Sequence, residues 1–91
     1  FLHICNNNLE KLPTGFFDLY SLVHVNLSNN NITSLGNHFD KFKFLEVIEL
    51  HKNKELDSLP PTICNHNAIH RVEVSGTKIK TSFYPDFVRD Y

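Results

Sequence analysis

Short stretches of alternating apolar and polar residues recur along this chain at a nearly constant spacing. Four of them can be aligned: LHICNNNL, VNLSNNNI, IELHKNKEL and VEVSGTKI. Their second apolar residues are Ile4, Leu27, Leu50 and Val74, at steps of 23, 23 and 24 residues. Alternation with a period of two is typical of a strand with one buried face. The recurrence therefore predicts a repeat protein in which each repeat contributes one short strand.

A second apolar pattern lies between the predicted strands. LPTGFFDLYSL, LGNHFDKFKFL and LPPTICNHNAI align, and we expect Phe16 with Leu19, and Phe39 with Phe42, to pack behind the sheet. Successive strands joined by a return segment are parallel. One repeat cannot bury its apolar faces alone, but stacked repeats share a continuous core. We predict an α/β-type solenoid, an arc with about four short parallel strands on its concave face and irregular or short helical return segments.

A polar column follows the strands, three positions after the second apolar residue of each. Its members are Asn7, Asn30, Asn53 and Thr77. The chain must turn inward at this point, which leaves backbone groups facing the core. A buried amide can donate to and accept from the backbone of two adjacent turns. We predict that this column is a structural ladder, with fewer hydrogen bonds at Thr77.

Together these columns resemble the leucine-rich repeat family, whose consensus is LxxLxLxxNxL. The full unit, LxxLPxxIxxLxxLxxLxLxxNxL, is most similar to the intracellular Ras-suppressor-type class. Leu12-Pro13 and Leu59-Pro60 carry the hallmark of that class, whereas Leu35-Gly36 departs from it. LPTGFF also matches the LPxGxF pattern of extracellular repeats of the Toll-like receptor type, although the repeat in this chain is one residue shorter.

The resemblance covers essentially all 91 residues. It implies a single leucine-rich repeat domain over residues 1–91, with about four repeats and no recognisable cap at either end. We expect residues 83–88 to form a fifth return segment. One extra residue in the third repeat, between Asn53 and Leu56, is expected to bulge the turn there.

Residues between the strand's apolar positions are expected to point onto the concave face, which is the usual partner site in leucine-rich repeat families. The resemblance thus implies a protein partner, and a mixture of charged, aromatic and apolar side chains suits a protein interface. We expect Glu49 and Arg71 to contribute most to binding of the partner. A solvated face without a specific partner is the alternative. The predicted partner-binding residues are His24, Asn26, Ser28, Val47, Glu49, His51, Arg71, Glu73 and Ser75.

The sequence does not favour metal binding or catalysis. Possible metal ligands on the concave face are His3, Cys5, His24 and His51. They fall in different columns without a compact ligand spacing, so we expect no metal site and no cofactor. A nucleophile would need Cys5 beside His3, or Ser28 beside His51, together with an oxyanion hole. No oxyanion hole is recognisable, and we do not predict an enzyme.

The net charge and the hydropathy of the chain argue against nucleic acid and membranes as partners. A net charge of −1, from nine basic and ten acidic residues, gives no general attraction to nucleic acid or to an anionic membrane. No apolar run approaches the roughly 18 residues that span a bilayer, so we expect no membrane insertion. The turns after the third and fourth strands carry Lys52, Lys54, Lys78 and Lys80. We interpret these lysines as a solvated edge.

Cellular location is indicated only by two cysteines and two sequons. Cys5 and Cys64 do not make a disulfide framework, which favours a reducing compartment and cytoplasmic localisation. Asn26 and Asn31 begin glycosylation sequons, but such sequons arise readily from the repeat consensus. The chain contains no Met, so we expect it to be a processed or excised piece.

We predict that the chain is a protein-interaction module or scaffold, used in signalling. One alternative is a ligand-sensing segment of an extracellular or immune receptor with leucine-rich repeats. Another is an arm that presents substrate to a larger enzyme.

Overall fold

In the computed structural model, which describes residues 1–90, parallel strands form one open sheet backed by short return segments. Each strand pairs with the next along the chain, so sheet order equals chain order. The architecture is the predicted solenoid arc. Its strands are β1 Leu2–His3, β2 His24–Asn26, β3 Val47–Glu49, β4 Arg71–Glu73 and β5 Val88–Arg89.

The register places equivalent positions of successive repeats side by side. Val25 pairs with Ile48, and Ile48 pairs with Val72. All three are completely buried because they face the return segments. Their chain neighbours point to the opposite face, since successive side chains in a strand alternate. The pairing found in the structure is therefore the one given by the 23-residue and 24-residue steps of the sequence.

A fifth strand occupies the C-terminal edge of the described sheet. Val72 pairs with Val88, and Glu73 pairs with Arg89. The sheet thus has one strand more than the four aligned in the sequence, and the prediction of residues 83–88 as a return segment was wrong at Val88. Val88 follows Val72 by only 16 residues, so its alternation lies outside the longer unit that aligns the other strands. Val88 is buried and extends the core to this edge.

The return segments contain short helical turns, as predicted. Three are 3-10 helices, Phe16–Asp18, Phe39–Lys41 and Thr81–Phe83, and one is an α-helix, α1, Pro61–Cys64. Proline suits the first position of a helix because its missing N–H has no partner to lose there. No helix in residues 1–90 is long and apolar enough to cross a membrane.

Aromatic side chains fill the space behind the first three strands. The ring of Phe42 lies 5.3 Å from that of Phe16 and 5.7 Å from that of Phe39, both edge to face. Phe17 stacks on Phe42 at 5.6 Å. Leu19, which we expected here, is 43% exposed. The helical backbone ends at Leu19, where φ is −85° and ψ is 67°, so this side chain does not continue the buried face.

Asn30 makes the hydrogen bonds expected of a ladder residue. Its Oδ1 accepts from the backbone N–H groups of Asn7 and Leu9, at 2.9 and 3.1 Å. Its Nδ2 donates to the carbonyls of Ile4 and Leu27, at 2.8 and 2.9 Å. One amide therefore joins the turns of the first and second repeats.

Asn53 repeats this arrangement one repeat later. Its Oδ1 accepts from the N–H of Ile32 at 3.1 Å, and its Nδ2 donates to the carbonyl of Leu27 at 3.1 Å. The extra residue of the third repeat forms a turn that the N–H of Leu56 closes on the Asn53 carbonyl. Asn53 thus joins the second and third repeats.

The side chains of the two outer members of the column bond within their own turns. Asn7 is exposed, and its amide donates to the carbonyl of Cys5 within its own turn. Thr77 Oγ1 donates to the Val74 carbonyl and accepts from the Ile79 N–H, again within one turn. The ladder was predicted over four positions, and the described hydrogen bonds between repeats come from the two central ones.

Candidate functional site

The candidate site is the face of the sheet that points away from the return segments, which we call the concave face. Cα pairing and the backbone hydrogen bonds that continue beyond the strands align its side chains in three rows. The first row is Phe1, His24, Val47 and Arg71; the second is His3, Asn26, Glu49, Glu73 and Arg89; the third is Cys5, Ser28, His51 and Ser75.

All nine predicted partner-binding residues lie in these rows. Arg89 was not predicted in these rows, and the pairing of β5 places it beside Glu73. The signal that could have revealed it is the short alternation around Val88. Arg89 adds an exposed cation to the C-terminal end of the second row.

Histidine and glutamate side chains join neighbouring strands across the concave face. His24 Nε2 lies 2.6 Å from Glu49 Oε2, linking β2 to β3. His51 Nε2 lies 2.7 Å from Glu73 Oε1, linking the third repeat to β4. Each contact spans one repeat, so these side chains stabilise the stacking of repeats as well as shaping the surface.

Glu73 is the most enclosed of these carboxylates, with its side chain 13% exposed. Its Oε2 accepts a hydrogen bond from Arg71 Nε at 2.7 Å. Burial raises the pKa of Glu73, but the hydrogen bonds and charges of Arg71 and His51 outweigh burial and leave that pKa below its ordinary value. Glu73 is therefore ionised at neutral pH.

His51 is held at both ring nitrogens, with Nδ1 2.5 Å from Ser75 Oγ and Nε2 at Glu73. Ser75, rather than the Ser28 that a nucleophile beside His51 would need, is the serine that contacts this ring. In a hydrolase triad the serine contacts Nε2 and the acid contacts Nδ1. The nitrogens are exchanged here, so this arrangement does not reproduce a triad. Ser28 Oγ is buried and has no hydrogen-bond partner among the described residues.

The two residues expected to contribute most to binding are both engaged within the chain. Glu49 contacts His24, and Arg71 donates to Glu73. The side chain of Glu49 is 20% exposed, whereas that of Arg71 is 44% exposed and offers more surface to a partner. Val47 lies between His24 and Arg71 in the first row, half-buried. It places an apolar side chain at the middle of that row.

One group of side chains in the described part of the chain has the composition and spacing of a metal site. Single ligand atoms of Glu49, His51 and Glu73 all lie within 4.8 Å of one another. The possible metal ligands named from the sequence were histidines and cysteines, without the glutamates of the second row. A glutamate at the same strand position in two adjacent repeats is the signal that could have indicated this group.

The lysine edge is exposed and partly neutralised. Lys78 Nζ donates to Glu55 Oε2 at 2.7 Å. This hydrogen bond raises the pKa of Lys78 and lowers the pKa of Glu55. Both side chains are 62% exposed, so the pair contributes little to stability.

Comparison with known proteins gives a family-level match. The family model described as Leucine rich repeat matches residues 2–54, from β1 to the turn after β3. The comparisons with curated proteins and with solved structures give no match.

Proposed function

The chain belongs to the leucine-rich repeat family, and from this premise we propose that it binds a protein partner through its concave face. Leucine-rich repeat domains generally mediate protein–protein interaction, and the repeats themselves are a non-enzymatic interaction fold. The observation that carries the proposal is the surroundings of Val47. This apolar side chain is flanked in its row by His24 and Arg71, as an interface centre is flanked by polar groups.

The polar side chains around Val47 are fixed before any partner arrives. Glu49 holds His24, and Glu73 holds Arg71. A side chain that is already ordered loses less conformational freedom on binding, so less affinity is lost to ordering. We propose that the partner packs on Val47 and hydrogen-bonds to the accessible part of Arg71 without displacing Glu73.

The size of the face sets the extent of the footprint. The molecule measures 28 × 28 × 20 Å along its principal axes. A standard protein interface buries about 800 Å² on each partner, which is as much as any face of this body offers. We propose that the footprint covers all three rows, including Arg89 at the end of the second row.

The direct test is Val47→Arg, measured as affinity for a partner first identified by affinity purification and then purified. We expect at least about tenfold weaker binding, near 1.4 kcal/mol, because the larger cation disrupts the centre of the interface. Val23→Arg is the matched control. Val23 is 44% exposed and lies outside the rows, so its substitution should leave affinity within about twofold. Equal loss in both variants, or loss in Val23→Arg alone, would place the binding site elsewhere.

We further propose an intracellular scaffold of the Ras-suppressor-type class, in the cytoplasm. Leu12-Pro13 and Leu59-Pro60 support the class. Cys5 and Cys64 support the location, since both are free thiols. The test treats the protein isolated from its source with peptide N-glycosidase and measures its electrophoretic mobility. An increase in that mobility would reveal an N-linked glycan and would show that the cytoplasmic assignment is wrong.

A further inference from the structure

A second kind of site lies on the concave face, within the proposed partner footprint. Glu49, His51 and Glu73 bring two carboxylates and one imidazole together across the third and fourth repeats. We propose that these three side chains bind one divalent transition-metal ion, with Zn²⁺ the best fit, and that the ion crosslinks the two repeats. This departs from the expectation of no metal site.

The geometry of the three ligand atoms suits zinc. They all lie within 4.8 Å of one another, and the shortest separation, His51 Nε2 to Glu73 Oε1, is 2.7 Å. Zinc binds nitrogen and oxygen ligands at about 2.0–2.2 Å, which places tetrahedral ligand atoms about 3.3 Å apart. To reach this spacing, His51 Nε2 and Glu73 Oε1 must move apart by about 0.6 Å. All three side chains are only partly exposed, so the site is shielded on its sheet side.

Each ligand is oriented by a neighbour that does not belong to the trio. Ser75 Oγ holds His51 Nδ1, which directs Nε2 toward the carboxylates. Arg71 takes Glu73 Oε2 and leaves Oε1 at the site. Metal-binding histidines commonly donate their second ring N–H to an oxygen, and metal-binding carboxylates are commonly hydrogen-bonded as well. Ser75 and Arg71 are thus positioning residues in the places that a metal site requires.

His24 completes this outer layer by contacting Glu49 Oε2 at 2.6 Å. The charges are compatible with a cation. Glu49 and Glu73 supply two negative charges and Arg71 supplies one positive charge, so a divalent ion meets a net negative group. A metal on Nε2 requires the neutral tautomer of His51 in which Nδ1 carries the ring proton, and the Ser75 hydroxyl can rotate to accept the hydrogen bond from that Nδ1–H.

The ligand set also selects among metals. Imidazole favours zinc and other transition metals, whereas Ca²⁺ and Mg²⁺ prefer sites built from oxygen alone. Three protein ligands leave the fourth tetrahedral position of zinc to solvent or to a donor from another molecule. We therefore expect Zn²⁺ and Co²⁺ to bind, and millimolar Ca²⁺ or Mg²⁺ not to displace them.

A second histidine–glutamate contact supplies the matched control. His70 Nε2 lies 3.4 Å from Glu46 Oε1, and both side chains are more than half exposed. This pair is not part of the three-ligand group. His70→Gln therefore removes an imidazole from a similar contact and leaves the proposed site intact.

The test titrates the tag-free chain, stripped with EDTA, with Zn²⁺ against a chromophoric chelator and with Co²⁺ by absorption. We expect one ion per chain, the intense visible bands of tetrahedral Co²⁺, and a rise in Tm with zinc. His51→Gln should weaken binding at least about tenfold and abolish the rise in Tm, whereas His70→Gln should stay within about twofold. Ser75→Ala should weaken binding about 10–100-fold, with recovery in Ser75→Thr.

Three results would overturn the proposal. One is the absence of a tetrahedral Co²⁺ spectrum for the unmodified chain. Another is an equal loss in His51→Gln and His70→Gln, which would mean adventitious binding by surface histidines. If circular dichroism shows that His51→Gln does not fold, Glu73→Gln and Glu49→Gln decide the matter, and unchanged zinc affinity in both contradicts the site.

Discussion

Polar side chains on the concave face differ in whether they have hydrogen-bond partners, even within one row. Ser75 Oγ contacts His51, whereas Ser28 Oγ in the same row is buried and finds no partner among the described residues. A buried hydroxyl without a hydrogen bond costs the free energy of its lost hydration, about 1–3 kcal/mol. Ser28 and Ser75 therefore occupy equivalent positions with opposite effects on folding.

Because of this difference, we expect alanine substitution to change the free energy of unfolding of the metal-free chain differently at Ser28 and at Ser75. Ser28→Ala should leave the free energy of unfolding unchanged or raise it by up to about 1 kcal/mol, because it removes an unpaired hydroxyl. Ser75→Ala should lower it by about 0.5–1.5 kcal/mol, because His51 loses a partner. Urea denaturation of both variants, compared with the parent, makes the measurement. A clear destabilisation by Ser28→Ala would show that its hydroxyl is bonded in solution.

At the scale of elements, the turns are held by side chains that replace missing backbone partners. Asn30 and Asn53 do this after the strands. His66 does it after α1, at the position that aligns with Leu19 and Phe42 in the two preceding repeats. Its Nδ1 accepts from the N–H of Ala68, and its Nε2 lies 2.6 Å from the carbonyl of Phe42. An aromatic ring with two polar atoms thus occupies an apolar position because both atoms reach the backbone.

Asn30→Leu should be far more damaging than an ordinary surface change. The substitution keeps the volume approximately and removes an amide that hydrogen-bonds to five backbone groups, including those of Asn7 and Ile4. Each unpaired group costs about 1–3 kcal/mol, so we expect a loss of at least about 3 kcal/mol. That is a large part of the stability of a domain this size.

The matched control is Asn31→Leu, since Asn31 is adjacent in sequence and exposed. Its effect should stay within about 0.5 kcal/mol. The two denaturation midpoints give the comparison. Similar midpoints for Asn30→Leu and Asn31→Leu would mean that the amide does not join the turns.

For the whole molecule, the repeat spacing was enough to predict the stacking of β1 to β4, because one constant step determines every pair. It could not predict β5, whose connection is shorter and has no second copy to align with. The repeat pattern also could not predict which side chains of a return segment face the core. Phe17 rather than Leu19 stacks on Phe42, since helix termination decides which of them faces the core.

The concave face was predictable as a set of rows, but the contacts within it were not. Alternation tells which side chains share the face, whereas the partner of His51 depends on rotamers and on neighbours in the next repeat. The pattern placed Ser28 next to His51 in the third row, as the structure does, but the hydrogen-bond partners of His51 are Ser75 and Glu73. For the same reason, the engagement of Arg71 by Glu73 was not predicted.

Hydrogen–deuterium exchange, with and without saturating protein partner, tests the central claim most directly, because it reports on every segment at once. We predict slower exchange in the partner complex over residues 24–28, 47–51 and 71–75, which form the middle of the concave face. Residues 39–42 and 61–66, on the return side, should exchange at unchanged rates. Protection confined to those return segments would contradict the account and place the partner on the opposite side of the solenoid.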